Sequence, residues 1–369
     1  MQPDPRHRDT DRPWRQALLV IVATFVGSRL LLVLIAALVE FSLPTSNVRP
    51  TFSDIPILAS LTGTDSVYLL GIAADGYHAT PVQDVYLDWA FFPLYPIVTR
   101  LFSLFTLGNI ALSGVLVANA ATLGAAWVMY RLGEPTFGHR KALLAVVYLL
   151  IAPGAVAFGM AYTDSLFLLF GLLAFLAAHR RAWGWMGVAY ALATLTRPPG
   201  ILLGIPLLVL VAQSDGRSWR AILPLALGPI ALAGFTAYLW GRFGVFLAYL
   251  QAQSAWNNPS HTVVSGGLPV GTEPLVVILI GTLLFYTFLL VYVRADRLDA
   301  PSVAFLAVAL LTVIGSGRLL SVGRYLAVAW PFSWLLAGRG GWVSVLWPTV
   351  SAALFSLHAV LNFTQALAP

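Results

Sequence analysis

Two kinds of side chain in this 369-residue chain could do chemistry: carboxylates gathered in one loop, and arginines set where apolar neighbours make charge costly. Five of the fifteen acidic residues, Asp54, Asp65, Asp75, Asp84 and Asp88, fall between residues 42 and 90. Asp65 begins a stretch of helix-favouring residues that stops at Gly76, which puts its carboxylate in the first turn of a helix. The positive end of the helix dipole favours the ionised form there. An ionised carboxylate beside a cavity can take a proton from a substrate hydroxyl, the work of a general base. The plainer alternative is a first-turn helix acid with no further role. Asp164, in Tyr162-Thr163-Asp164-Ser165, precedes another apolar run, where Thr163 or Asp164 can simply cap a helix.

Seven arginines stand apart from the basic clusters: Arg29, Arg49, Arg100, Arg197, Arg242, Arg318 and Arg324. A guanidinium offers phosphate a planar fork of donors, and a low-dielectric membrane edge strengthens that contact, so a lipid phosphate is the natural partner. Pairing with a nearby acid, or snorkelling to headgroups, is the alternative for each. Arg197 precedes Pro198-Pro199-Gly200, which biases it toward an extended backbone at a turn. Arg318 and Arg324 flank a five-residue connection, where two forks could grip one anion. Tyr68, Tyr77, Trp89, Tyr95 and Trp256 suit either sugar stacking or an interfacial aromatic belt. Asp88 stands ready to assist Asp65 in holding an acceptor.

The elements that must position these residues are membrane helices. Apolar residues make up 59% of the chain and charged residues only 10%, which is the composition of a polytopic membrane protein. The apolar runs are long rather than alternating, so the spans are helices, giving an all-α fold. Runs at 17–39, 110–130, 142–158, 164–178, 183–196, 200–213, 221–240, 274–293, 301–316, 325–337 and 342–360 predict eleven spans. With a cytoplasmic N-terminus, and 17–39 as a retained anchor rather than a signal peptide, fourteen of the twenty-one Lys and Arg residues fall inside. Residues 91–107 carry two prolines and Arg100, and are expected to form a juxtamembrane or re-entrant helix instead of a span. The chain is then one transmembrane domain, with an outer loop over 42–109 that carries juxtamembrane helices and a second outer loop over 241–272.

The absence of cysteine excludes disulfides and thiolate chemistry. The net charge of +6 follows membrane topology and needs no nucleic acid to explain it. Arginine outnumbers lysine twenty to one, which fits a GC-rich bacterial genome and a plasma-membrane location. No His/Glu spacing of the usual metal-binding kinds occurs, so no cofactor is expected, and the sequence neither supports nor excludes a divalent metal.

Three segments resemble the GPI mannosyltransferase II family and its bacterial relatives, within the glycosyltransferase C superfamily: Asp65 to Tyr77, Ala90 to Pro96, and Tyr162 to Phe167. The likeness runs in order from Ser28-Arg29 to Arg324-Tyr325. Thr64 stands where the family commonly has tryptophan, and Asp164 where it typically has glutamate. The resemblance implies several membrane spans, a catalytic carboxylate in the first outer loop, and a polyprenyl- or dolichyl-phosphate sugar donor. It implies that Asp65 deprotonates an acceptor hydroxyl on a glycolipid or glycan, which attacks the anomeric carbon with inversion. Asp88, Asp164, Tyr68, Tyr162 and Trp256 would then meet the sugars, and Arg197, Arg318, Arg324 and Arg29 the donor phosphate. Mannose is the sugar the resemblance favours.

Two other classes fit the composition. A lipid or small-solute transporter would also use many spans and intramembrane arginine, but internal pseudo-symmetry is missing. A non-catalytic subunit of a sugar-transfer complex would keep the fold and tolerate loss of Asp65.

Overall fold

Long apolar runs make long helices here, and some of the runs that carry proline are bent or divided. The computed structural model describes residues 13–42, 51–80, 87–214, 219–256, 298–316, 322–338, 341 and 343–364. Regular structure among them is helical, apart from one isolated bridge between Thr51 and Gly63. In chain order the helices are α1 (Pro13–Ser42), α2 (Pro56–Leu61), α3 (Asp65–Asp75), α4 (Leu94–Phe102), α5 (Ile110–Phe137) and α6 (His139–Leu150). They continue with α7 (Asp164–His179), α8 (Trp183–Thr194), α9 (Gly204–Gln213), α10 (Trp219–Ile222), α11 (Leu227–Phe243) and α12 (Ala248–Trp256). The last four are α13 (Ala300–Ser316), α14 (Val322–Ala327), α15 (Pro331–Ala337) and α16 (Val343–Phe363).

Four helical stretches among the described residues are long and apolar enough to cross a membrane: Trp14–Ser42, Ile110–Phe137, Trp219–Phe243 and Ser344–Phe363. Large apolar side chains such as Leu19, Leu30 and Phe41 stand exposed along α1, a surface suited to hydrocarbon and costly in water. Among the described residues, several of the eleven expected runs are bent or divided. The run at 142–158 is α6 followed by a 3-10 helix, Pro153–Gly159, bent from it by 76°. The run at 200–213 begins as a 3-10 helix, Pro198–Leu203, and the run at 325–337 is divided between α14 and α15 at Pro331. Two of these breaks lie just before a proline, Pro153 and Pro331, which cannot donate the backbone hydrogen bond that a continuing helix requires. The run at 274–293 lies outside the described residues.

Residues 94–105 form α4 and a short 3-10 turn. Tyr95, Pro96 and Thr99 are buried on one side, while Ile97, Leu101, Leu104 and Phe105 are exposed on the other. That one-sided pattern suits a helix lying in the membrane interface. It packs against α3 and α5.

The interior is built on α5, which packs against α6 and α7, with α7 in turn against α8. The buried 3-10 helix Pro153–Gly159 is wedged among α1, α5, α7, α14 and α16. Close approach there requires glycine: a Cβ on Gly154 would lie 1.9 Å from the Gly323 carbonyl oxygen, immediately before Arg324. His358 on α16 donates from Nδ1 to the Pro153 carbonyl at 3.0 Å and fixes the same end of the wedge.

Candidate active site

Asp65 is the first residue of α3, and the turn that presents it is held under strain. Thr64 has φ +57°, unfavourable for a β-branched residue. The Thr51–Gly63 bridge and a 3.3 Å bond from Phe52 N to Thr62 O hold the chain just before it. The Thr64 hydroxyl also meets the Tyr162 hydroxyl, which ties this turn to the segment leading into α7.

Four charged residues from four separate segments form one chain of ion pairs. Arg324 on α14 donates from Nη1 to Asp65 Oδ2 at 2.8 Å, and its Nε lies 3.7 Å from Asp164 Oδ2. Asp164, the first residue of α7, receives Nη1 of Arg197 on its other oxygen. Arg197 is extended, with φ −164° and ψ 154°, as the proline after it dictates. The order is Asp65, Arg324, Asp164, Arg197, with formal charges that cancel. The Asp164 and Arg197 side chains are 1% and 7% exposed, whereas those of Asp65 and Arg324 are 13% and 16% exposed. The inner pair is therefore the anchor, and Asp65 with Arg324 is the end a ligand can reach.

Aromatic rings line the network. The Arg197 guanidinium lies 4.8 Å from the Tyr325 ring centroid, and that of Arg324 lies 5.0 Å from Tyr162 and 5.7 Å from Tyr325. These contacts stabilise cations away from water. Burial raises the Tyr162 hydroxyl well above the usual tyrosine range; Asp65 adds to the shift and Arg324 opposes it. Tyr162 thus stays a neutral hydrogen-bonding group. The sequence named Tyr325 only as the end of the family likeness and did not single out His358, since one histidine in an apolar chain carries no spacing signal.

The other expected site residues are placed differently. Tyr68 is buried and stacks on Phe91, with centroids 5.1 Å apart and planes within 11°. Asp88 is fully buried and engaged by His78, through the backbone N at 3.2 Å and Nδ1 at 2.8 Å, rather than by the ion network. Burial raises the Asp88 carboxyl, with the His78 contacts opposing the shift. Arg29 lies on α1, over the Phe25 ring at 5.0 Å, and makes no ion pair with the network. Arg318 and the Trp256 side chain lie outside the described residues. Beside α3, an apolar cavity of about 560 Å³ opens between α4 and α11, lined by Ile72, Tyr77, Pro96, Arg100, Phe235 and Tyr238 among others.

Residues 92–240 match the family described as dolichyl-phosphate-mannose-protein mannosyltransferase. GPI mannosyltransferase 2 of Chaetomium globosum is 29% identical over 193 residues, covering 43% of this chain and 40% of that protein. The chain therefore matches under half the length of this curated relative. The crystal structure of ArnT from Cupriavidus metallidurans bound to undecaprenyl phosphate aligns with a TM-score of 0.52 and 19% identity, over 94% of this chain and 76% of that one. The Archaeoglobus fulgidus oligosaccharyltransferase tethered to an acceptor peptide gives 0.51 and 14%, over 94% and 55%. This chain has the glycosyltransferase C fold.

Its relatives in sequence are mannosyltransferase-like. The family match takes in Asp164 and Arg197 but begins after Asp65 and ends before Arg324. The ion network therefore joins the matched region to segments on either side of it. Two of its members, Asp65 and Arg324, are 259 residues apart in sequence.

Proposed function

We propose that the protein is a membrane glycosyltransferase that moves a sugar, in our reading mannose, from a polyprenyl-phosphate donor to a hydroxyl of a glycolipid or glycan acceptor. The observation that carries this reading is the pairing of Asp65 with Arg324 at the accessible end of a buried ion network. A base for the acceptor and a cation for the leaving phosphate are adjacent there. Support for the substrate class comes from the family match and from the undecaprenyl phosphate held by the ArnT of like fold.

In this mechanism Asp65 removes the proton from the acceptor hydroxyl as its oxygen attacks the anomeric carbon. The bond from that carbon to the phosphate oxygen breaks, and configuration inverts. The donor is a phosphodiester with one negative charge, and the departing lipid phosphate is a monoester approaching two. The proton moved to Asp65 leaves the formerly neutral network with one positive charge, facing the new anion. Arg324 is preorganised to stabilise it, with Arg197 behind.

Asp65 and Arg324 cannot serve their partners while bonded to each other. The donor phosphate therefore binds first and takes over the Arg324 fork, which releases Asp65 Oδ2 for the acceptor proton. The apolar cavity between α4 and α11 accommodates a lipid tail, with Arg100 at its polar edge.

The test is to supply purified protein in lipid nanodiscs with radiolabelled polyprenyl-phosphate mannose and extracted bacterial glycolipids. Labelled product is expected, with the anomeric configuration opposite to that of the donor. Failure to transfer mannose, glucose, galactose or arabinose from their polyprenyl phosphates to any extracted acceptor would overturn the reading.

A further inference from the structure

Arg29 is a charged residue outside the ion network. It lies about 24 Å along α1 from Pro13 at the ordinary helical rise, within the apolar run. The neighbouring Val26, Leu30, Val33 and Leu34 are exposed apolar side chains. Its Nε, Nη1 and Nη2 are all buried and without a hydrogen-bond partner among the described residues. An unpaired guanidinium in such surroundings costs several kcal/mol. The Phe25 ring, 5.0 Å away, offsets only part of that. The site therefore calls for an anion.

A second unpartnered group stands beside it. Asn119 donates from Nδ2 to the carbonyls of Val115 (2.7 Å) and Gly159 (3.3 Å), and its Oδ1 is buried with no hydrogen-bond partner among the described residues. Gly159 lies between the two: a Cβ there would approach Arg29 Nη1 at 3.2 Å and clash with Leu32 Cδ2 at 2.2 Å. Arg29 asks for anionic oxygens and Asn119 for a hydroxyl. A phosphate monoester provides both near neutral pH, where its second proton is partly retained. A phosphodiester provides only the first.

The site's place in the fold relates it to the reaction centre. One end of the 3-10 helix Pro153–Gly159 touches the backbone at Gly323 and Arg324, and the other touches Arg29. From Gly154 to Gly159 is roughly 10 Å at the 3-10 rise. We propose that Arg29 and Asn119 form a second lipid-phosphate site, distinct from the Arg197 and Arg324 pair, which receives the monoester of the polyprenyl carrier after it has given up its sugar. The identity of the carrier rests on the proposed function; the existence of a lipid monophosphate site does not.

The experiment measures binding of polyprenyl monophosphate to the full chain in phosphatidylcholine nanodiscs, by native mass spectrometry and phosphorus NMR. Two bound molecules per chain are expected for the unaltered protein and one for Arg29→Ala, with at least a tenfold loss at the second site. Arg29→Lys and Asn119→Leu guard against misfolding, and each is expected to weaken that site with an unchanged melting profile. Unchanged stoichiometry in all three variants overturns the proposal. Equal competition by inorganic phosphate makes the ligand a free anion, and equal competition by phosphatidylglycerol makes the site a bulk-lipid one; either result overturns the carrier assignment. If the protein transfers no sugar but Arg29→Ala still loses one lipid monophosphate, the site stands and the transferase reading fails.

Discussion

Arg324 holds Asp65 directly, Nη1 to Oδ2 at 2.8 Å, and the same guanidinium reaches toward Asp164 with its Nε at 3.7 Å. One arginine thus links an accessible carboxylate to a buried one. Arg324→Ala should weaken donor binding about 10- to 100-fold, the size of a lost charge-assisted hydrogen bond. Arg324→Lys, which keeps the charge but not the fork, should fall between. Titration with a non-transferable polyprenyl-phosphate sugar reads this directly, and equal affinities in all three proteins would exclude Arg324 from phosphate binding.

The inner pair has a different signature. Asp164 and Arg197 are both buried, and removing either one strands a charge in a medium that solvates it poorly. Arg197→Ala and Asp164→Ala are each expected to cost about 3–5 kcal/mol of stability. The double variant should cost less than the sum of the two, since neither charge is then left alone. Equilibrium unfolding in mixed micelles measures the coupling, and strict additivity would show that the pair does not act as a unit.

Gly154 is the backbone counterpart. A Cβ at that position would lie 1.9 Å from the Gly323 carbonyl oxygen. Gly154→Ala must push α14 away, so it should cost about 1–3 kcal/mol as other overpacking changes do. Donor affinity should fall with it, because Arg324 follows Gly323 in sequence. A variant with wild-type melting and wild-type donor affinity would show that this contact does not position Arg324.

The Asp88–His78 pair supplies a pH dependence. Burial raises the Asp88 carboxyl above its unfolded value, with His78 opposing. A carboxyl raised in the folded state stabilises most when protonated, and that contribution is lost as pH rises through the folded pKa. Asp88→Asn does not titrate, so its stability relative to wild type should increase from pH 4 to pH 7. Melting temperatures across that range test the sign, and a constant or falling difference would contradict it.

The four network residues were each legible in the sequence, because a charge in a chain that is only 10% charged stands out. Their pairing was not. Asp164 meets Arg197 across 33 residues and Asp65 meets Arg324 across 259, and no local pattern reports contacts of that range. Taken singly, the charges pointed to Asp65 as a base and the arginines as phosphate ligands, but not to their pairing with one another. The all-helical membrane fold followed from apolar content. Helix continuity did not, because a run such as 142–158 stays apolar through Pro153 and Gly154 while the backbone turns by 76°. Asp88 beside the Phe91-Phe92-Pro93 motif suggested acceptor binding, yet burial and His78 occupy it.

The most direct measurement is single-turnover transfer by Asp65→Asn, with donor affinity determined on the same sample. Loss of the base should slow transfer by about 10²–10⁴-fold. Because Arg324 is then released from its carboxylate partner, donor binding should be unchanged or tighter. Transfer at the wild-type rate would contradict the role of Asp65 as the base.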